Sequence, residues 1–374
     1  FAHREVEPLA DLRLPADERR AHELLDAYIQ SRMSRVQFER RTAVQFALTI
    51  LKKRLLSSPA AFFQSLNTHV QTLAEQEGRG DIALVERMKE RAEEDFDDDR
   101  EKAEVEAAAL QEATRLFSSL TADERAWLKE LIAIADRLRQ RADTKAEALL
   151  DWIEEHLRDG DAWNNERLLV FTEYLDTLDY LRDLLEEREW SDRVLVMSGG
   201  MSMEERQAVN EAFQTPPDQE PVRILLGTDA ASEGLNLQKH CRYLVHYEIP
   251  WNPNKMEQRN GRIDRHGQPA DRVFCYHFLY DQAEDRRFLE IIVEKVKTQR
   301  QDLGQVGDVI AEEVERAMLR LSDTIDDPRE RRSVVEEELP KDLRLKDEVH
   351  KVREGIEQTR SDWDLTPEQM GEVL

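Results

Sequence analysis

Between Leu168 and Tyr280 the sequence returns five times to a short run rich in Val, Leu, Ile and Phe. These are "LLVFTEY" from Leu168, "RVLVMSG" from Arg193, "VRILLGT" from Val222, "CRYLVHYE" from Cys241 and "RVFCYHFLY" from Arg272. Amphipathic stretches separate them, among them "LDTLDYLRDLLEE" from Leu175 and "SMEERQAVNEAFQ" from Ser202. Near-continuous apolar strands must be covered on both faces, and strands that alternate with helices pair in parallel. The pattern therefore predicts an α/β unit over 161–282: a parallel sheet with helices on both faces. In such sheets ligands gather beyond the carboxyl ends of the strands, so the residues that follow each apolar run are the candidates for chemistry.

Residues 16–160 read as helix after helix. Pro15, Ala16, Asp17 and Glu18 precede a stripe of Leu24, Leu25, Tyr28 and Ile29 at helical spacing. Pro59 punctuates "LKKRLLSSPAAFFQSL", where Ser57 or Ser58 is placed to cap the helix that carries Phe62, Phe63 and Leu66. Gly78 and Gly80 mark a break before "ERAEEDFDDDREKAEVEAAALQEATRLF". That acid-rich stretch reads as a solvated helix or partly mobile arm rather than a core element. Residues 283–374 read as a helical extension, with Phe288, Ile291, Ile292 and Val296 on one side and charged, weakly patterned sequence from Glu336 onward. The chain starts at Phe1 without an initiator Met and runs directly into the strand-like "REVEPLADLRL". It is expected to be the later part of a longer polypeptide.

Composition narrows the class. The 374 residues carry a net charge of −26, and 36% of them are charged, against about 25% in an average soluble protein. Taken as a whole-chain sum this opposes binding to a polyanion, although the local field in a cleft decides such binding. No apolar run reaches the roughly 18 residues of a membrane span, and no signal-peptide pattern opens the chain, so no membrane partner is expected. Cys241 and Cys275 are the only cysteines, too few for a disulfide framework, and a reducing cytoplasm is the simplest home.

The sharpest motif is "WNPNKMEQRNGRIDRHGQ", Trp251 to Gln268. Arg259, Arg262 and Arg265 stand three apart, so on a helix they project from neighbouring turns. Guanidinium groups so placed can stabilise charge developing on a transferring phosphoryl group. The plainer reading is a basic helix paired with Glu257, Asp264 and Asp271. Three strand ends add to the motif: Thr172; Ser198-Gly199-Gly200; and Gly227-Thr228-Asp229, which leads into a turn through Gly234, Leu235 and Asn236. Their hydroxyls and backbone amides are suited to phosphates of a nucleotide or of a nucleic-acid strand.

At these residues the chain resembles the second RecA-like lobe of superfamily-two helicase-like ATPases, specifically the Swi/Snf-type DNA translocases. The resemblance rests on "LLVFTEY", "MSGGMS", "ILLGTDAASEGLNLQ" and "QRNGRIDRHGQ" with "WNP" before it, and covers about residues 165–282. Within the family, "NGRIDRHGQ" with "KRLLSSPAAFFQSL" is most similar to bacterial members of the RapA and DISARM DrmD type. The resemblance implies that Arg262 and Arg265 are arginine fingers, and that Gly234, Asn236 and Gln258 face ATP. It implies contacts to the nucleic-acid backbone at Thr172, Ser198, Gly199, Thr228, Asp229 and Trp251. It further implies double-stranded DNA as partner, with ATP and Mg2+ held mainly by an N-terminal RecA-like lobe. Neither "GxxxxGK[ST]" nor a "DExH" or "DEAD" box occurs in this sequence. Both belong to that other lobe, so residues 1–15 are expected to end it or to link the two, and this chain alone is expected not to hydrolyse ATP.

Two other readings remain open at the level of sequence. The helical region is alternatively an interaction or autoinhibitory module, whose acids around Asp95 to Asp99 dock on a basic partner such as a complex subunit or RNA polymerase, or mimic DNA. The motor is alternatively a strand-separating helicase. Among the remaining candidates, His240, His246, His266 and His277 lack metal-ligand spacing, and no metal site is expected. Cys275 reads as a core residue. Trp251 either packs or stacks a base, and Glu233 either meets a finger or is solvated.

Overall fold

The computed structural model describes residues 2–75, 80–94, 96–232, 237–250 and 252–280. Strand β1 (His3–Leu12) opens the described chain, followed by helices α1 (Ala16–Arg35), α2 (Arg41–Ser57), α3 (Pro59–Glu75), α4 (Ile82–Glu93), α5 (Asp99–Thr114) and α6 (Ala122–Leu138). Helix α1 starts with Asp17 and Glu18 in its first turn, where the positive end of the helix dipole favours them. Ser58 is the residue that caps α3, its hydroxyl accepting from Ala61 N–H at 3.2 Å. The core of this region gathers Leu25, Tyr28, Leu48, Phe62, Leu110 and Leu131 from α1, α2, α3, α5 and α6. A buried polar chain crosses it, with the ring nitrogens of His69 lying 2.7 Å from Tyr28 Oη and 2.7 Å from Thr114 Oγ1.

The second part of the chain builds the sheet. Helix α7 (Thr144–Leu157) and a small hairpin of β2 (Arg158–Asp159) with β3 (Ala162–Trp163) lead into β4 (Leu168–Thr172). Then come α8 (Leu175–Glu187), β5 (Val194–Met197), α9 (Met203–Gln214), β6 (Ile224–Thr228), α10 (Asp229–Ser232), β7 (Tyr243–His246), α11 (Pro253–Asn260) and β8 (Arg272–Tyr280). Six strands lie in the order β1-β8-β7-β4-β6-β5, and every neighbouring pair is parallel. Strand residues of one parity, Leu168, Val170, Ile224, Leu226 and Val245, pack with α7 and α8. The alternate residues, Leu169, Phe171, Leu225, Leu244 and Cys275, pack with Phe213 of α9 and Ile263. Each such side chain contributes about 1.5–3 kcal/mol by leaving water, so the sheet is held from both faces, as the apolar runs predict.

Two expectations change, and residues 3–12 gain a place: they pair with β8, with a register shift between Pro8 and Ala10, and extend this sheet. The sheet unit starts earlier than 161: Leu149, Leu150 and Ile153 of α7 belong to the same core as β4, and these aliphatic positions read as helix whether the neighbour is a bundle or a sheet. The acid-rich stretch is no free arm. Its end folds onto the sheet, with Asp99 buried, and α5 carries Ala109, Leu110 and Ala113 into the helical core. The extension 283–374 lies outside the described residues.

Candidate functional site

Chain order dictates where a ligand belongs. From β4 the chain winds out on one side through β5 and β6, then crosses to the other through β7 and β8. The winding reverses at β4, and the carboxyl ends of β4, β6 and β7 surround that reversal point. Those ends are Thr172, Thr228 and the Tyr247-Glu248 pair that follows His246.

Helix α11 starts with Asn252 as cap, accepting from Asn254 N–H at 2.9 Å, with Pro253 in the first turn. It ends at Asn260, and Gly261 follows as its C-terminal cap. Only Arg259 of the three arginines therefore lies on a helix. Arg262 and Arg265 follow in a succession of turns, a difference from the regular helical projection expected from the spacing, because Gly261 stops the helix. Arg259 is 1% exposed. Its Nε and Nη2 donate to the two carboxylate oxygens of Asp229 at 2.5 and 2.8 Å, and Nη1 donates to the Glu248 carbonyl at 3.1 Å. Burial works against the charge of Arg259, but Asp229 outweighs it and holds the guanidinium above its ordinary pKa. Burial likewise pushes Asp229 up, and Arg259 brings it below the ordinary carboxylate value. Asp229, expected to approach a nucleic-acid backbone, thus has its carboxylate on Arg259, a bond that carries the turn rather than a ligand.

A cleft of about 90 Å³ opens here, with Asp99, Asp229, Lys255, Gln258, Arg259 and Arg262 in its lining. Gln258 and Arg262 thus share one wall, whereas Arg265 is exposed outside that lining. Gly234, Asn236 and Trp251 lie outside the described residues. From across the sheet Arg4 of β1 holds the same segment: it donates to both carboxylate oxygens of Glu257 at 2.6 and 2.7 Å and to Asp264 at 2.6 Å. The acids that seemed destined for the arginines of their own motif are taken by a strand more than 250 residues away. His246 lies 2.8 Å from Asn260 Oδ1, and burial with nearby Arg259 brings its pKa down to about 3, so the ring is neutral.

Most of the strand-end donors meet carboxylates. Thr172 Oγ1 donates to Glu248 Oε1 at 2.7 Å, and Glu173 N–H donates to the same oxygen. Burial raises the pKa of Glu248. Thr228 Oγ1 donates to Asp99 Oδ2 at 2.5 Å, and Gly199 N–H donates to that same Oδ2 at 2.5 Å. Ser198 is half-buried, its N–H directed to Met201 Sδ at 3.3 Å. The structure thus brings Thr228 and Gly199 to one point and places Thr172 on the neighbouring strand.

Residues 144–267 match the helicase conserved C-terminal domain. The chain carries a helicase C-terminal domain. The matched segment begins at the first residue of α7 and ends just past the motif arginines, so the domain includes the helix that the sequence reading left in the helical region. The uncharacterized ATP-dependent helicase YqhH of Bacillus subtilis is 30% identical over 146 residues, 39% of this chain and 25% of that protein. The RNA polymerase-associated protein RapA of Yersinia enterocolitica is 35% identical over 120 residues, 32% of this chain and 12% of that protein. The chain thus matches a quarter or less of the length of these curated relatives. Among solved structures, the C-terminal part of the Fun30 ATPase domain aligns with a TM-score of 0.42 at 15% identity, covering 85% of this chain and 99% of that one.

Two residues that shape the edge of this helicase C-terminal domain went unread in the sequence, Arg4 and Glu248, while Asp99 was read only as part of the acid run Asp95 to Asp99. Arg4 acts across a long separation and carries no local signal. Glu248 does carry one, since it follows the apolar run "YLVHY" directly, the position at which a parallel sheet displays its functional groups.

Proposed function

We propose that this chain is the second motor lobe of a Swi/Snf-type, ATP-dependent translocase on double-stranded DNA, completed by an N-terminal RecA-like lobe. The observation that carries the reading is the anchored arginine turn. Arg259, locked on Asp229 and the Glu248 carbonyl, and Arg4, holding Glu257 and Asp264, fix the segment from which Arg262 reaches the cleft at the sheet's reversal point. A finger acts through fixed geometry, since its effect depends on meeting charge that develops on the phosphoryl oxygens without reorganising first.

The groups this cleft offers a polyphosphate are Lys102, Lys255 and Arg262 beside the amide of Gln258, in a lining that also holds Glu94, Asp97, Asp99, Glu173 and Asp229. When bound, ATP with Mg2+ supplies the transferable phosphoryl group, and both are held mainly by the facing lobe. On this side Arg262 and Arg265 present positive charge to that group, and Gln258 orients it together with Gly234 and Asn236. Thr172, Ser198, Gly199 and Thr228, with Trp251, hold the DNA backbone, a mode of contact that carries no base sequence. Alternate approach and separation of the two lobes then moves the grip along one strand. The full-length protein is accordingly an ATP hydrolase of the cytoplasm, and the printed name of the RapA relatives adds RNA polymerase as a candidate partner.

The test is the Arg262→Ala/Arg265→Ala double variant of the full-length protein, assayed for nucleotide binding and for DNA-stimulated hydrolysis. Binding should persist while turnover falls about 10³-fold or more. Near-normal turnover would overturn the assignment. The single variants sharpen it, with Arg262→Ala expected to cost more because Arg262 lines the cleft and Arg265 lies outside that lining.

A further inference from the structure

Two donors from different strands converge on one oxygen of Asp99. Thr228 Oγ1 at the end of β6 and Gly199 N–H just past β5 each lie 2.5 Å from Oδ2. A hydroxyl and a backbone amide aimed at a single anionic oxygen form the arrangement that receives a phosphate oxygen, and here a carboxylate from the helical region fills it. The fit extends beyond that oxygen. Gly200 N–H donates to the Asp97 carbonyl at 3.2 Å, and Arg206 Nη2 donates to the same carbonyl at 3.4 Å.

The two glycines are what allow the approach. A side chain at Gly199 would come within 2.7 Å of Asp99 N and 2.8 Å of the Asp97 carbonyl oxygen, both backbone atoms. Gly200 has φ +87°, in the left-handed region, and a Cβ there would lie 3.0 Å from an Asp98 carboxylate oxygen. Asp98 itself is fixed as the cap of α5, accepting from Arg100 N–H at 2.8 Å. The acids are therefore delivered by the start of a helix whose other end is anchored in the helical core.

From these contacts we infer that the Asp97–Asp99 turn is an internal phosphate mimic that occupies the strand-end site and excludes the nucleic-acid backbone from it. The inference rests on the reading of this edge as a DNA-binding surface, and adds a regulatory state to it. The donors Gly199 N–H and Thr228 Oγ1 hold either Asp99 or a phosphodiester oxygen, so DNA binds by displacing the turn. Apparent affinity is then lowered in proportion to the small fraction of molecules whose turn is undocked.

The experiment uses the full-length protein, wild type and Asp99→Ala, titrated with a fluorescein-labelled duplex DNA at fixed salt. Asp99→Ala should bind the duplex about 10-fold or more tighter, and reach half-maximal hydrolysis at correspondingly less DNA. In wild type, saturating duplex should also speed amide hydrogen exchange over residues 96–102. Unchanged affinity in Asp99→Ala, or arm exchange that does not respond to DNA, overturns the mimic. If Arg262→Ala still abolishes turnover in that case, the motor reading stands. Absence of duplex binding by wild type and variant alike overturns both.

Discussion

The helical core and the carboxyl edge of the sheet both bury charged and polar side chains, but to different ends. In the helical core the hydrogen-bonded side chains answer one another, although Arg32 Nη2 and Thr49 Oγ1 are buried without a partner among the described residues. Thr121 and Glu124 form a capping box at the start of α6, Ser31 Oγ donates to Glu124 at 2.7 Å, and His69 joins Tyr28 to Thr114. Burial and the nearby charge of Arg32 bring His69 down to about 3, so the ring bridges its partners in the neutral form. At the sheet edge the partners join the cleft to β1 and to the helical region: Arg4 to Asp264, Asp229 to Arg259, Asp99 to Thr228. The first arrangement makes one fold specific. The second sets charges of both signs around a cleft, and one of its partners, Asp99, is held by the strand-end donors Thr228 and Gly199. Polar burial therefore has two functions here, and its function at each place is read from which elements the partners join.

The strongest way to break that contrast is Arg259→Ala. It removes both guanidinium hydrogen bonds from Asp229, which is partly exposed and lies near Lys102 and Lys255, and should cost about 1–3 kcal/mol in urea unfolding, together with turnover of the full-length protein. Arg259→Lys should recover only part of either, since an ammonium cannot bond both carboxylate oxygens as the guanidinium fork does. An unchanged urea midpoint with lost turnover would make Arg259 a ligand-facing group and not an anchor. Tyr28→Phe is the matched change in the helical core. It should cost about 1 kcal/mol by removing the hydroxyl beside His69, with turnover per folded molecule unaltered. A turnover defect there would couple the two regions.

The smallest effect is pH-dependent. Burial, then Asp143, raises the Glu18 carboxyl to about 7, while Thr144 N–H and Oγ1 donate to it at 3.1 Å. A folded-state value above the unfolded one means that the folded protein binds more protons between about pH 4.5 and 7. Stability from this group is complete below that window and falls as the pH rises through it. Glu18→Gln keeps an acceptor for Thr144 and removes the titration. It should raise the thermal midpoint by about 1–3 °C at pH 8, discounted for solvent screening, and leave it unchanged at pH 4.5.

What could be read from sequence follows from how local each signal is. The bounds of β4, β6 and α8 follow from "LLVFT", "ILLGT" and "LDTLDYLRDLLEE", because parity and helical period are properties of neighbouring residues. Arg262 in the cleft was legible for the same reason, as part of a contiguous motif. The membership of β1 in this sheet, the hold of Arg4 on Glu257 and the docking of Asp99 were not, since each depends on a partner 100 or more residues away. Composition even pointed the wrong way for Asp99, because a run of acids has the same signature whether it meets water or a row of donors.

The pairing of β1 with β8 also sets a schedule for the chain during synthesis. Arg4 faces Val273, so a ribosome adding about 5–20 residues per second leaves the first strand waiting on the order of 15–50 s for its neighbour. A bare strand exposed that long invites pairing with other chains. The sequence of β1 guards against it: Arg4, Glu5, Glu7 and Asp11 place charge along the strand, and Pro8 removes a donor where the register with β8 is interrupted. Its charges and its proline keep β1 soluble until β8 arrives.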